Sequence, residues 1–591
     1  MKKLPLSTQS FATLRAKDCY YVDKTPFIKS VMENDADVLL ITRPRRFGKT
    51  LFMDTLRCFL RADCDPKITA ELFRGLRIFD DSAFCAQYCG QFPVVALSLA
   101  DIEGNSFAEA YERFTANVCR IAKQYRYLLE SDKLPAEDKA LFQRYLNEND
   151  IQNPDNIGTV KDFLFNLTNL LTVHFGRKVV LLIDEYDVPL DKAAHGGYYD
   201  KMLTLVRAFL RQVLKPDLGS PGNENLEKAV LTGCLRVGKE SIFTGLNNPE
   251  SNTVYSNDRA FNEILGFTTS EVDELLRYYG LSEHRNAVKT WYDGYRFGRS
   301  EIYCPWDVIN FCKKARAWDD ETPYVPENFW AGTSGNAIID EFLGFLSGSD
   351  TEKMQALVDG GTIDLTVNDK LSYRDLENHT PSDFWTLLLY TGYLTVAERS
   401  PNSAYRFKVR IPNKEIRDTF EAHILARFSE TNPVFTQHGV NFAKAALKGD
   451  ADTMTSVLQT LLDNYVSVRD TATKAPAENY YHGFLTALLA GAGNLIKLRS
   501  NAEAGRGFAD LIITSGIGEN AAGAILELKR CSNPSHLFDT ADLAIEQIKS
   551  KNYAKVLDEY RCRHRFAYGL AFCGKDCAVT FEAIEPTAHR P

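Results

Sequence analysis

The sequence predicts an α/β chain with two separate candidate sites, and three stretches carry that prediction. Val38–Met53, VLLITRPRRFGKTLFM, passes from an apolar run through a basic turn into apolar residues at helical spacing (Phe52, Leu56, Leu60). Lys178–Leu190, KVVLLIDEYDVPL, holds a continuous apolar run that ends in two carboxylates. Far downstream, Ala524–Lys529, AILELK, is a further strand with Glu527 and Lys529 two positions apart. Unbroken apolar strands of this kind belong to parallel sheets covered on both faces by helices.

Composition sets the frame. A chain of 591 residues is too long for one core, so ~3–4 domains are expected. The hydrophobic share of 45% and the charged share of 25% are those of an ordinary globular protein. A net charge of −9 argues against a general nucleic-acid coat, so any DNA contact needs a local basic surface. No uncharged apolar run reaches the ~18 residues of a membrane span. MKKLPLSTQS has lysines without an apolar segment behind them, and no signal peptide is expected. The 13 cysteines include no CxxC pair, and neither Cys85 with Cys89 nor Cys573 with Cys577 has histidines at zinc-site spacing. Reduced thiols in a cytoplasmic protein are the expectation.

In chain order, Tyr21-Val22-Asp23-Lys24-Thr25 precedes a short apolar helix and reads as a capping turn at Asp23 or Thr25, with a nucleotide-covering role as the alternative. Val38–Ile41 is a buried strand, and the loop Arg45-Arg46-Phe47-Gly48-Lys49-Thr50 then opens a helix. That order is the geometry of a phosphate-cradling P-loop. Backbone N–H groups at the helix start face an anion, Lys49 neutralises the outer phosphates and the Thr50 hydroxyl ligates Mg²⁺. Arg43 stands where the first glycine of GxxxxGK[ST] would fall, and a surface basic turn is the competing reading. Phe92–Leu99 reads as a second strand, followed by helices to about Phe175. At the end of the Val179–Ile183 strand, Asp184 is suited to hold the Mg²⁺ shell and Glu185 to polarise the attacking water. Ala229–Gly233 is the next strand. Thr232 at its end and Arg236 beyond it are candidates to sense the γ-phosphate; a strand-end hydroxyl and a surface ion pair are their bland alternatives.

RPRRFGKT, LLIDEYD, LTGCLRVGKESIFTGLNN and WYDGYRFG together resemble the AAA-ATPase-like proteins of bacteria and archaea that carry a C-terminal PD-(D/E)XK nuclease-like domain. That family also lacks the first P-loop glycine. The resemblance covers roughly Pro5–Ser282. It implies an additional-strand P-loop NTPase fold, in which another strand separates the Lys49 strand from the Asp184 strand.

From Glu271 to about Lys370 the pattern is mixed and largely helical. The aromatic turns Trp291-Tyr292-Asp293-Gly294-Tyr295 and Asn328-Phe329-Trp330 read as core packing, with base stacking as the alternative. Phe384–Val396 reads as helix, turn at Gly392 and strand; Tyr405–Ile411 as an exposed alternating strand; Pro412-Asn413 as the start of a helix. This order resembles a winged-helix module, with Lys408 and Arg410 on one face of the wing. Helical patterns fill Glu430–Ala477, and Thr471–Ala477 looks like a linker.

The second site lies in the last ~115 residues. Glu478 begins an apolar helix, Asn494–Arg499 starts a strand, and Gly505, Gly507 and Asp510 lead into Leu511-Ile512-Ile513. In Ala524–Lys529 the side chains of Ile525, Glu527 and Lys529 share one face, while Leu526 and Leu528 point to the other. Carboxylates from adjacent strands make a hard-oxygen cradle for Mg²⁺ or Mn²⁺, and a lysine beside them offsets phosphate charge or orients water. The arrangement resembles the PD-(D/E)XK nuclease core, with Asp510, Glu527 and Lys529 at the motif positions and Ala509 in place of the leading proline. The resemblance matches Glu478 to the helix carboxylate of some members, and Gln547 and Tyr553, on the following helix, to the Q…Y pair of RecB-like members.

The combined expectation has three segments: 1–282 the ATPase domain, 283–470 a helical and winged-helix-like region, 471–591 the nuclease-like domain. The reading is a cytoplasmic ATPase using ATP and Mg²⁺ or Mn²⁺, with Thr50, Asp184, Asp510 and Glu527 as metal ligands. Its nuclease-like domain acts on DNA in defence or mobile-element biology, with ATP controlling the C-terminal site, no membrane contact, and homo-oligomerisation left open. The rivals are a STAND-type nucleotide-gated switch and a DNA-binding ATPase with an inactive nuclease fold.

Overall fold

The computed structural model describes residues 1–6, 8–215, 224–236, 249–318, 324–330, 348–358, 360–376, 380–420, 433–465, 477–490, 492–504, 507–516, 521–531, 533–560 and 562–585. Two compact units form, one from residues 1–336 with 360–417, the other from residues 337–359 with 418–591.

The first unit is built on a five-stranded sheet of β1 (Val38–Thr42), β2 (Val94–Ser98), β3 (Val179–Asp184), β4 (Leu226–Gly233) and β5 (Glu250–Asn252), ordered β2-β3-β4-β1-β5 with every pair parallel. β1 and β3 are buried along their whole length, as their unbroken apolar sequences require. The order places β4 between the Lys49 strand and the Asp184 strand. The C-terminal ends of β1, β3 and β4 therefore lie side by side, and that edge is where open parallel sheets place ligands.

The turn before the Phe27–Met32 helix differs in detail from a cap. Pro26 occupies the N-cap and has no side-chain bond, while Asp23 builds the preceding turn by accepting from the Thr25 N–H and hydroxyl. Lys24 reaches away to Glu271 at 2.7 Å. Glu271 also closes the capping box of the Thr269–Tyr279 helix.

The aromatic turns are core packing: Tyr292, Tyr295 and Trp330 are buried. Among the described residues here, β6 (Phe267–Thr268), β7 (Tyr295–Phe297) and β8 (Ser300–Tyr303) form a small antiparallel sheet ordered β6-β8-β7. A second one, ordered β10-β11-β9, joins β9 (Ile363–Thr366), β10 (Thr395–Arg399) and β11 (Arg406–Arg410). The Pro381–Thr391 helix precedes its hairpin, and helix 414–420 follows, with Asn413 Oδ1 accepting from the Ile416 N–H. In β11, Phe407 and Val409 point inward and Lys408 and Arg410 outward, Lys408 pairing with Glu398 at 2.8 Å.

The second unit is organised by β12 (Lys497–Ala504), β13 (Gly507–Ser515), β14 (Ala522–Arg530), β15 (His564–Cys573) and β16 (Asp576–Ala583), in that spatial order. Only β14 and β15 run parallel. One face, with Leu511, Ile513, Leu526, Leu528 and Phe572, packs on the helices Pro433–Ala446, Ala451–Tyr465 and Ala477–Ala490. The other face, with Ile512, Ile525 and Ala567, packs on Ile548 of the Leu537–Ser550 helix and on Tyr553. That helix crosses β15 at Gly569, where a Cβ would stand 1.9 Å from the Ala541 carbonyl oxygen, so only glycine fits.

This division differs from the three segments drawn on sequence. Helices 433–446 and 451–465 belong to the C-terminal core, and most of 283–417 belongs to the first unit. An amphipathic helix reports that it has a buried face, not which sheet that face covers. Of the expected linker Thr471–Ala477, residues 471–476 lie outside the described residues and Ala477 already begins the Ala477–Ala490 helix; Gly505 and the side chain of Glu478 also lie outside them. Among the described residues no helix is long and apolar enough to cross a membrane.

Candidate active sites

At the first site, β1 ends at Thr42 and the loop 43–48 leads into the Lys49–Leu60 helix, whose N-cap Gly48 is left-handed at φ 88°. Arg43 is fully buried. Its guanidinium donates to the carbonyls of Thr42 (2.8 Å), Asn252 (3.2 Å) and Phe261 (3.0 Å) and to Asn252 Oδ1 (2.7 Å), and lies over the Phe297 ring. The residue in the place of the missing glycine therefore pins the loop to β5 and the segment beyond it. Arg46, at φ 70°, stacks on Trp306 and donates to the Phe329 carbonyl at 2.9 Å. Phe47 is buried against Tyr295 and Phe297. Arg45 lies 3.8 Å from Asp191.

Lys49 Nζ donates to the carbonyls of Arg43 and Pro44, each at 2.9 Å, and lies 3.9 Å from Cys234 Sγ. Thr50 Oγ1 donates to Asp184 Oδ2 at 2.6 Å, and Thr232 Oγ1 donates to the other oxygen, Oδ1. Three strand ends thus bring Thr50 and Thr232 onto the Asp184 carboxylate, while Lys49, next to Thr50, is held by its own loop carbonyls. Glu185 follows at φ 52°, and burial, then the charge of Asp184, pushes its carboxyl above the usual range. Arg236 pairs instead with Asp369 at 3.6 Å.

At the second site the register Leu511↔Leu526 puts Asp510 beside Glu527 on neighbouring antiparallel strands. Asp510 Oδ2 accepts from the Leu528 N–H at 2.7 Å, and His482 of the Ala477–Ala490 helix contacts the Asp510 carbonyl at 3.0 Å. Glu527 is only 2% exposed. Its Oε1 accepts from Lys529 Nζ at 3.3 Å and from Gln547 Nε2, which also reaches the Tyr553 hydroxyl at 3.5 Å. Glu527 Oε2 is buried with no hydrogen-bond partner among the described residues. Burial and then the charge of Asp510 push the Glu527 carboxyl up to about 7; burial also raises Asp510. Tyr553 lies past the end of the Leu537–Ser550 helix, in a short turn after Asn552, rather than on the helix.

Residues 5–243 match the family model described as predicted AAA-ATPase, and residues 476–582 match that of the PD-(D/E)XK nuclease superfamily. The chain carries both domains. A protein of Azotobacter chroococcum mcd 1, named only as an uncharacterized protein in the vnfD 5' region, is 25% identical over 571 residues, covering 95% of this chain and 94% of its own length. No solved structure matches the chain.

Within the AAA-ATPase domain, sequence reasoning missed Tyr186 and Asp187. The Tyr186 hydroxyl donates to the Leu235 carbonyl at 2.7 Å. Asp187 Oδ2 accepts from the Cys234 and Leu235 N–H groups, both at 2.9 Å, and from the Tyr373 hydroxyl at 3.1 Å. Together they hold the turn that leaves β4 toward Arg236. Backbone approaches so closely that a Cβ on Gly233 would lie 2.5 Å from Asp187 Oδ1. Their signal was present in the tail of the DEYD motif, where Tyr186 and a further acid follow the first pair.

Both sites offer hard oxygen donors of the type Mg²⁺ and Mn²⁺ prefer. At the nuclease-like domain the fit rests on a specific atom: a buried carboxylate oxygen without a protein donor is costly to ionise unless a cation meets it. Among the described residues no cluster of three or more His, Cys, Asp or Glu forms; the carboxylates that the described strands bring together there are Asp510 and Glu527.

Proposed function

We propose that the chain is an ATP hydrolase joined to a divalent-cation-dependent DNA nuclease. The observation that carries the nuclease reading is the adjacent pair Asp510–Glu527, with a buried Glu527 oxygen that has no partner among the described residues and Lys529 alongside. A bound Mg²⁺ or Mn²⁺ would polarise the scissile phosphate and offset its charge. Asp510 and Glu527 hold the cation; the Leu528 N–H and Gln547 orient the two carboxylates. Lys529, more exposed than Glu527, faces the phosphate and orients water.

At the ATPase site, Lys49 and the loop N–H groups bind the phosphates, and Lys49 exchanges its bonds to the Arg43 and Pro44 carbonyls for phosphate oxygens. Thr50 and Asp184 hold Mg²⁺, Glu185 polarises water, and Thr232 reports on the γ-phosphate end through Asp184. Arg45 remains the loop cation for nucleotide, whereas Arg46 and Phe47 act by holding the loop in shape.

The test is a cleavage assay on circular and linear DNA, with Mg²⁺ or Mn²⁺, with and without ATP, and with a chelator. Metal-dependent nicking or degradation that the chelator stops is the expected result. DNA binding without cleavage under every metal and nucleotide condition would leave a binding module with a nuclease fold.

A further inference from the structure

Cys531 and Cys573 stand outside both sites described above. β14 and β15 run parallel in the register Arg530↔Phe572, and the Cys531 N–H donates to the Phe572 carbonyl at 3.0 Å. The ladder therefore continues one step past β14, and Cys531 lies beside Cys573. Both side chains pack on the same small cluster of Leu537, Ala541, Ala571 and Ala578, so they share one face. The Cys531 thiol donates to the Asn533 carbonyl at 3.3 Å. Neither residue is fully buried. Cys577, four residues on from Cys573, is not part of the group. It faces the opposite layer, where its thiol meets the Thr455 carbonyl and Gln459.

We propose that Cys531 and Cys573 form a redox-sensitive dithiol that closes to a disulfide under hydrogen peroxide. Adjacent parallel strands hold Cα atoms ~5 Å apart, inside the range a disulfide spans without backbone movement. One thiolate attacks peroxide, giving a sulfenic acid and water. The second thiol displaces a second water and forms the S–S bond, so two thiols and one H₂O₂ give one disulfide and two H₂O. The closed bond ties the end of the strand bearing Glu527 and Lys529 to β15. It also fixes the start of the turn into the Leu537–Ser550 helix, which carries Gln547.

The experiment uses the full-length protein. Before oxidation, phenylarsine oxide, which bridges neighbouring thiols, should bind and protect both cysteines from alkylation. After peroxide treatment, differential alkylation and peptide mapping should find a species joining Cys531 to Cys573, lighter by two hydrogens and released by dithiothreitol. Alkylation at both positions should fall at least ~10-fold, as disulfide sulfurs do not alkylate. Cys531→Ser should abolish the cross-link and the arsenical protection of Cys573. Separate sulfenic or sulfinic acids without a cross-link, or pairing of either cysteine elsewhere, would overturn the assignment. The mapping in the wild-type chain decides this without any variant, and independently of whether the nuclease reading holds.

Discussion

The two sites solve the problem of buried charge in opposite ways. In the ATPase domain the polar groups satisfy one another: Lys49 on its own loop carbonyls, and Asp184 between the Thr50 and Thr232 hydroxyls. A ligand there must compete with bonds already made, which demands dense negative charge and favours a polyphosphate. In the nuclease-like domain Asp510 and Glu527 lie side by side, and one Glu527 oxygen has no protein partner among the described residues. Burial raises both carboxyls, so the site holds its charge reluctantly until a cation compensates it. One site is preassembled from protein bonds; the other leaves a buried oxygen that the described residues do not satisfy.

The largest break in this comparison should come from Asp510→Ala. Loss of one of two carboxylates should take cleavage below detection, which a plasmid-nicking assay with Mg²⁺ reads, and leave ATP binding at its wild-type affinity. Loss of both activities together would show a folding defect instead.

At the other site, Lys49→Ala should weaken nucleotide binding or turnover by about 10²-fold or more, the scale of losing one preorganised charge donor. Glu185→Gln should keep nucleotide affinity while slowing hydrolysis by roughly 10²–10⁴, the range of a positioned base. Titration with a fluorescent nucleotide beside a phosphate-release assay separates the two. Unchanged turnover in both variants would remove the phosphate-site assignment.

Arg43→Gly sharpens the comparison by testing whether the loop is held from behind. Restoring the common glycine should not help. The change strips a buried guanidinium from the carbonyls of Asn252 and Phe261, and a loss of about 3 kcal/mol in denaturant midpoint analysis is expected. Equal stability would mean that the loop stands without its clamp.

The smallest effect is a control that separates burial from cation binding. Asp307 and Glu415 are also buried, and Glu415 Oε1 accepts from the Phe329 and Trp330 N–H groups. Burial, then the charge of Asp307, lifts the Glu415 carboxyl far above the usual range. A raised carboxyl favours the folded state while the pH stays below the ordinary carboxylate range. That contribution falls away as pH climbs toward the folded value, because the unfolded chain ionises first. Glu415→Gln should therefore flatten the decline of melting temperature above about pH 5, gaining most at pH 8–9. A variant that loses stability equally at every pH would show that the acid serves by shape alone.

Local chemistry was legible in the sequence wherever a period or a fixed spacing carries it. The apolar run before Gly48-Lys49-Thr50, the strand ending in Asp184-Glu185, and the alternation that puts Glu527 and Lys529 opposite Leu526 and Leu528 all follow from residue type along one strand or turn. The sheet order that unites Thr50, Asp184 and Thr232 came from a resemblance, since no single stretch contains it. Tertiary structure alone decided the rest. Arg43 reads as a departure from a motif until Asn252 and Phe261, more than two hundred residues away, are seen to receive it. Asp187 reads as one more surface acid until Cys234, Leu235 and Tyr373 converge on it. Helices 433–446 and 451–465 show amphipathic faces that any sheet could cover. Gln547 reaches Glu527, and Cys531 meets Cys573, only because the Leu537–Ser550 helix and β15 pack beside β14. The physical reason is common to all of these. A strand's period is set by its own backbone, whereas partners brought together by strand order are chosen by packing between segments far apart in the chain.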